Sequence, residues 1–204
     1  MQPIRDLAAL EALYGRPGEA ATIKVRPRIT PLYADWIGRS RFCVLTTVGP
    51  GGTDDSPRGD DGPVVRIADE STLLMPDWRG NNRLDSLRNI VADGRVSLMF
   101  LVPGSANVVR VNGRAVLTAD EDLRESFARD GRHGAASPAT VIVVTVAEVY
   151  SQCARAILRA GLWSGADESA GLPSVGELLE EARAGFDGAA YDAQWPGRAK
   201  ETMW

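Results

Sequence analysis

The sequence predicts a mainly β (α+β) fold in which antiparallel strands curl into a closed or nearly closed barrel with helices at its periphery. Many short apolar runs are separated by Gly-, Asp- and Pro-bearing turns, with few helical stretches between them. The strongest run, Thr140 to Val146 continuing towards Ser151, carries β-branched residues on both faces and reads as a central strand. Helical patterns gather at the two ends of the chain and in one segment after Gly80.

Leu7, Leu10, Leu13 and Tyr14 predict a short amphipathic helix, and the Pro- and Gly-bearing stretch from Arg16 to Arg28 connects it to the body. Thr30-Pro31 reads as an N-cap with proline at the first helical position, opening a helix through Leu32, Tyr33, Trp36 and Ile37 that Gly38 ends. Arg41 to Val48 is the first strand. Gly49 to Asp55 is a turn, and Pro63 to Ile67 and Ser71 to Met75 supply the next strands around the Asp69-Glu70 turn. After the helix that follows Gly80 come strands from Val96 to Val102 and Val108 to Leu117, then a helix from Glu121 to Arg129. Pro173-Ser174 caps a helix through Val175, Leu178, Leu179 and Ala182, and a last helix runs from Ala189 towards Trp204.

The 204 residues carry 23 Lys and Arg against 27 Asp and Glu, a net charge of −4, which argues against a general nucleic-acid binder with its basic face. Nothing resembles a signal peptide and no apolar run approaches the ~20 residues that span a bilayer, so a cytosolic chain is expected. Cys43 and Cys153 are too far apart for a metal-type pair and sit in apolar strand-like segments, where buried, inert thiols are expected rather than a disulfide. His133 is the single histidine, so a zinc cluster, an HExxH site and a Ser-His-Asp triad all lack parts. No phosphate-cradling GxxxxGK[ST] loop is present. Asp54-Asp55 and Asp60-Asp61 read as solvated turns.

The segment Gly80-Asn81-Asn82-Arg83-Leu84-Asp85-Ser86-Leu87-Arg88-Asn89-Ile90 reads as a helix opening on an anion site. Asn81 or Asn82 is the expected N-cap, and Leu84, Leu87, Ile90 and Val91 share one buried face. That arrangement offers the first-turn N–H groups, the positive end of the helix dipole and the Arg83 guanidinium to one phosphate. The competing reading makes Arg83 and Arg88 surface residues paired with Asp85 or nearby acids.

Taken in order, Ser56-Pro57-Arg58-Gly59-Asp60, Leu73-Leu74-Met75-Pro76-Asp77, Gly80-Asn81-Asn82-Arg83 and Arg110-Val111-Asn112-Gly113-Arg114 resemble the pyridoxamine 5'-phosphate oxidase-like FMN-binding split-barrel proteins. Cys153 to Arg159 with Leu162-Trp163 resembles the closing segment of a bacterial flavin-nucleotide-binding subgroup, so the likeness spans roughly Pro31 to Trp163. The resemblance implies a split β-barrel of antiparallel strands with peripheral helices. Its parts are an N-terminal helical arm over 1–29, an FMN-binding barrel over 30–163 and a C-terminal helical extension packed on the barrel over 164–204, one domain overall. It also implies a cytoplasmic homodimer with flavin sites at the subunit interface, acting as an oxidoreductase on a small molecule.

Carried over residue by residue, the resemblance puts FMN against Arg58, Gly59, Met75, Pro76, Asn81, Asn82, Arg83, Arg110 and Trp163. Each has a plainer reading beside it. Arg58 could pair with Asp60 or Asp61 at a tight bulge, Arg110 could be an exposed strand residue, and Trp163 could pack in the core. Asp77 reads as a turn residue rather than a proton carrier. Two departures stand out. Leu84 replaces the usual lysine after Arg83, so one phosphate ligand must come from elsewhere, and Asn112 replaces a glutamate. No side chain is an evident acid or base. A deazaflavin-dependent reductase and a non-catalytic flavin- or haem-binding protein remain as alternatives on the same barrel. Oxidation of pyridoxamine phosphate fits least, since Trp195 to Trp204 only loosely resembles the ending of the oxidases.

Overall fold

A computed structural model describes residues 1–131 and 134–202. His133 and Trp204 therefore lie outside the described residues. Among the described residues eight helices and nine strands follow one another in the order α1 (Leu7–Tyr14), α2 (Glu19–Ile23), α3 (Pro31–Ile37), β1 (Phe42–Gly49), β2 (Gly52–Gly59), β3 (Arg66–Asp69), β4 (Thr72–Asp77), α4 (Asp85–Ala92), β5 (Arg95–Leu101), β6 (Val108–Thr118), α5 (Glu121–Glu125), β7 (Arg129–Gly131), β8 (Gly134–Ala136), β9 (Thr140–Gln152), α6 (Arg155–Arg159), α7 (Val175–Ala182) and α8 (Gly188–Thr202).

Among the described residues seven strands make one antiparallel sheet in the order β2-β1-β5-β6-β9-β4-β3, and β7 and β8 form a separate hairpin. The fold class is thus the expected α+β with a dominant antiparallel sheet. The ladder does not close on itself. β9 is the spine, pairing with β6 along one side and β4 along the other, and its apolar residues Val141, Ile142, Val144 and Val149 are fully buried. They join Leu45, Leu73, Leu98, Phe100 and Val111 in one core.

Two strand boundaries differ from expectation. The turn after β1 is only Pro50-Gly51, because Gly49 pairs with Gly52 and β2 begins at once. Its residues Thr53-Asp54-Asp55-Ser56-Pro57 are polar because β2 is an edge strand, and Pro57 is tolerated there for the same reason. Val64 and Val65 are buried but belong to no strand, and β3 starts only at Arg66.

Helix α3 opens with Pro31 at its first turn and ends at Gly38, as its flanks dictate. None of the residues of α1 or α2 is buried. The arm is fastened where Arg26 bridges to Val149 and where the Tyr33 hydroxyl donates to the Lys24 carbonyl at 2.8 Å and accepts from the Ser151 amide at 3.1 Å. α5 stops at Glu125, four residues short of the expected end, and Arg129 begins β7 instead. At the other end, the Ser174 hydroxyl and Glu177 carboxylate form a capping box that starts α7. α7 then meets α8 backbone to backbone, since a Cβ on Gly176 would lie 2.2 Å from the Gly188 carbonyl oxygen.

Candidate functional site

Alternation along β2 puts Asp54, Ser56 and Arg58 on one face, each half-buried. Their cross-strand partners on β1 are Thr47, Leu45 and Cys43, all buried. The face is thus buried core on β1 and polar on β2. It borders a cavity of about 760 Å³ whose other walls are Asp77, the 78–84 loop, the first turns of α4, and Ala139-Thr140. That volume falls in the range of ~300–1,000 Å³ typical of small-molecule sites.

Arg58 pairs with Asp77, not with Asp60 or Asp61. Asp60 is instead taken by Arg129 at 2.5 Å, which also reaches Asp61 at 2.6 Å, while the Trp78 indole N–H donates to Asp60 at 3.3 Å. Asp77 is buried and is a charge partner rather than a turn residue. Burial pushes the Cys43 thiol up to about 12, the opposing pull of the Arg58 guanidinium being the smaller effect. Cys153, by contrast, is exposed, contrary to the expectation of two buried thiols.

The opening of α4 also differs. Neither Asn81 nor Asn82 caps it. Leu84 holds the cap position in the left-handed region (φ +63°) with no side-chain cap, and Asn82 is left-handed as well (φ +58°). Asparagine adopts that region readily, but for a leucine it costs roughly 1–2 kcal/mol, so the strain of this loop sits at Leu84, just after Arg83. The Asn81 carboxamide oxygen accepts from the Arg83 amide at 3.0 Å, and the Arg83 guanidinium turns onto Asp85 at the rim. α4 buries Ser86 and Ile90, while Leu84 and Val91 face outward. The polar part of that inner face ties the helix to the sheet. Ser86 donates to Asp54 at 2.5 Å and Asn89 to the Thr47 hydroxyl at 3.1 Å.

Of the residues singled out from sequence, Arg58, Asn81, Asn82 and Arg83 line the large cavity. Gly59, Met75 and Pro76 line an adjoining one of about 160 Å³ with Trp78 and Val64, Met75 lying almost wholly in the core. Arg110 and Trp163 border neither cavity. Arg110 donates to Gln152 at 3.3 Å and lies over the Tyr150 ring, and the Trp163 indole donates to the Ser105 carbonyl at 2.7 Å with 39% of its surface exposed. Asn112 donates to Glu148 at 2.6 Å. Sequence reasoning missed Asp54, Ser56, Arg79 and Thr140 as cavity residues. The i, i+2, i+4 polar spacing of Asp54, Ser56 and Arg58 was a usable signal once β2 is recognised, whereas Arg79 and Thr140 carry none.

Two polar atoms in the cavity wall are buried without a hydrogen-bond partner among the described residues, Arg58 Nε and Thr140 Oγ1. Such atoms each cost about 1–3 kcal/mol when left without a hydrogen bond, so both would gain from a partner. Among the described residues no group of acids, histidines and cysteines could hold a metal ion, and no helix is long and apolar enough to cross a membrane.

The profile of the pyridoxamine 5'-phosphate oxidase family matches residues 29–153. The chain belongs to the pyridoxamine 5'-phosphate oxidase family. That match covers the whole seven-stranded sheet and every wall of the large cavity. Among solved structures, HupZ of Group A Streptococcus is similar at 18% identity, over 60% of this chain and 93% of that one, with a TM-score of 0.48. General Stress Protein 26 of Bacillus anthracis is 16% identical over 58% of this chain and 88% of its own, with a TM-score of 0.42. An FMN-binding protein of Syntrophomonas wolfei is 11% identical over 62% and 84%, with a TM-score of 0.43. No curated protein matches the chain.

Proposed function

We propose that this member of the pyridoxamine 5'-phosphate oxidase family binds FMN in the 760 Å³ cavity between β2, β4 and α4 and acts as a flavin-dependent oxidoreductase on a small molecule. The observation that carries the reading is the pair of buried, unbonded donors, Arg58 Nε and Thr140 Oγ1, in that cavity. They fit a heteroaromatic ring edge rich in carbonyl and nitrogen acceptors, and the arginines of the 78–84 loop fit a phosphate at the other end. A bound flavin supplies hydride acceptance and donation at its ring nitrogen, chemistry that no side chain of the cavity offers by itself.

In this reading Arg58 and Thr140 orient the ring, Gly59, Met75 and Pro76 form the apolar floor beside it, and Asn81, Asn82 and Arg83 enclose the phosphate end. Asp77 fixes the Arg58 guanidinium in place by charge. Arg110 and Trp163 reach such a site only from a second copy of the chain, so a cytoplasmic homodimer completes the proposal. Trp163 stands with Leu158 and Leu162, 67% and 50% exposed, on a surface suited to that contact.

An absorbance spectrum of the purified protein, followed by denaturation and mass identification of the released small molecule, tests the reading. Flavin bands and released FMN are expected. Release of a deazaflavin would move the assignment to a reductase using that cofactor, and a colourless protein that refuses added FMN would reject it. Sedimentation should give twice the 21.9 kDa chain mass, and a monomer that holds FMN would remove Arg110 and Trp163 from the site.

A further inference from the structure

We infer that Arg79 is the principal phosphate-binding cation of this site, supplying the charge that Leu84 does not, and that Arg83 is secondary to it. The inference rests on the flavin reading above and concerns which side chain recognises the phosphorylated end of the ligand.

Three arginines line the cavity, and two of them are already neutralised. Arg58 is engaged with Asp77 and Arg83 with Asp85. The N-terminus of α4 is compromised as an anion site in the same way, because Asp85 lies in its first turn and the Asp54 carboxylate accepts from Ser86. A phosphate arriving there meets two carboxylates for each cation. Arg79 differs. It is exposed, lines the same cavity, and has no ion pair, hydrogen bond or ring contact among the described residues. The two residues before it are held in place, since Asp77 ends β4 against Thr140 and the Trp78 indole N–H is bonded to Asp60. Arg79 is therefore the one cavity arginine without a carboxylate partner among the described residues, in a lining that also carries the Asp54 and Asp55 carboxylates, and it offers five donors in a planar fork suited to a phosphate monoester.

The test compares FMN with riboflavin, which has the same ring and ribityl chain without the phosphate. Both are titrated by flavin-fluorescence quenching into the full chain freed of bound small molecules, for wild type, Arg79→Gln, Arg79→Lys and Arg83→Gln. Arg79→Gln should weaken FMN about 10- to 100-fold and leave riboflavin unchanged, Arg79→Lys should lose less, and Arg83→Gln should lose less than Arg79→Gln. Unchanged FMN affinity in Arg79→Gln overturns the inference while leaving the flavin reading intact. Equal losses for both ligands overturn it as well, since the side chain would then serve the ring or the fold. Should Arg79→Gln not fold, Arg79→Lys decides alone, with FMN selectively weakened or the inference overturned. If wild type binds neither flavin, the flavin reading fails, and melting in inorganic phosphate decides the arginine. A phosphate-dependent rise in Tm that Arg79→Gln abolishes keeps the anion site, and its absence in wild type removes it.

Discussion

Arg58 and Asp77 form an ion pair across the gap between β2 and β4, strands that are not neighbours in the sheet. β2 is one edge of the ladder and β4 lies one strand in from the other, so the pair shows how far the sheet curls. Side chains close that seam where backbone hydrogen bonds do not, and the same two residues form a wall of the large cavity. Fold and site therefore share this contact.

The Arg58 and Asp77 side chains are 20% and 11% exposed, so removing one charge strands the other in a poorly solvated place. Asp77→Ala should cost about 2–4 kcal/mol in urea denaturation, slightly below the ~3–5 kcal/mol of a fully buried pair because Arg58 keeps some water. Replacing both residues together by apolar side chains should cost less than the sum of the single changes, since no stranded charge remains. A cost under about 0.5 kcal/mol for Asp77→Ala would mean that the seam is held by packing alone.

Gly113 of the Arg-Val-Asn-Gly run has a structural role. β6 and β9 slip register between Asn112 and Gly113, and a Cβ on Gly113 would stand 2.1 Å from the Thr145 carbonyl oxygen. Backbone cannot yield as a side chain does. Gly113→Ala should destabilise by about 2 kcal/mol, lowering Tm by about 4–8 °C for a chain of this size. Gly62→Ala, where a Cβ meets nothing within 4 Å, is the control and should stay within about 0.5 kcal/mol of wild type. Equal melting of the two variants would refute the close approach.

Elements whose signals are local were legible in the sequence, and those fixed by distant partners were not. β9 is apparent from its β-branched run, and α3 from Thr30-Pro31 and Gly38, because strand propensity and helix flanks act over a few residues. β2 reads as a turn because an edge strand facing a cavity has no apolar alternation. The start of α4 was misplaced because Leu84 takes a left-handed conformation that no propensity favours, with the helix held instead by Ser86 on Asp54 and Asn89 on Thr47. The motif residues Arg58, Asn81, Asn82 and Arg83 were visible as a series, and Asp85 was legible as a partner for Arg83, but Asp77, the partner of Arg58, reaches it only through the fold. Arg79, which lies between two motif runs without belonging to either, stands out only in the fold, as the cavity arginine without a carboxylate partner among the described residues.

The two thiols should separate cleanly by reactivity. Cys43 is fully buried with its pKa pushed up to about 12, so it stays protonated at pH 8, while Cys153 is exposed. A thiol reagent at pH 8 should modify one cysteine in the native protein and two after denaturation. Cys153→Ser should abolish the native reaction, and a persistent reaction in that variant would show that Cys43 is reached by opening of the β1–β2 edge.

The pH response at low pH should include a contribution from Asp93. Its carboxylate accepts from the Arg95 side chain and amide, and with the side-chain hydrogen bond as the largest cause its pKa falls from 3.8 to about 2. A carboxyl with a depressed folded value binds its proton less readily in the folded state. The stability it contributes is therefore fully present above about pH 4 and is lost as pH falls towards 2. Asp93→Asn should lower stability relative to wild type at neutral pH, with the gap closing through that window. In wild type the Asp93 carboxyl carbon should titrate near 2 by NMR, and Arg95→Gln should move it only part of the way back, because the Arg95 amide still donates at 3.1 Å. A gap that widened on acidification would reverse the sign of the linkage and reject the pair as its source.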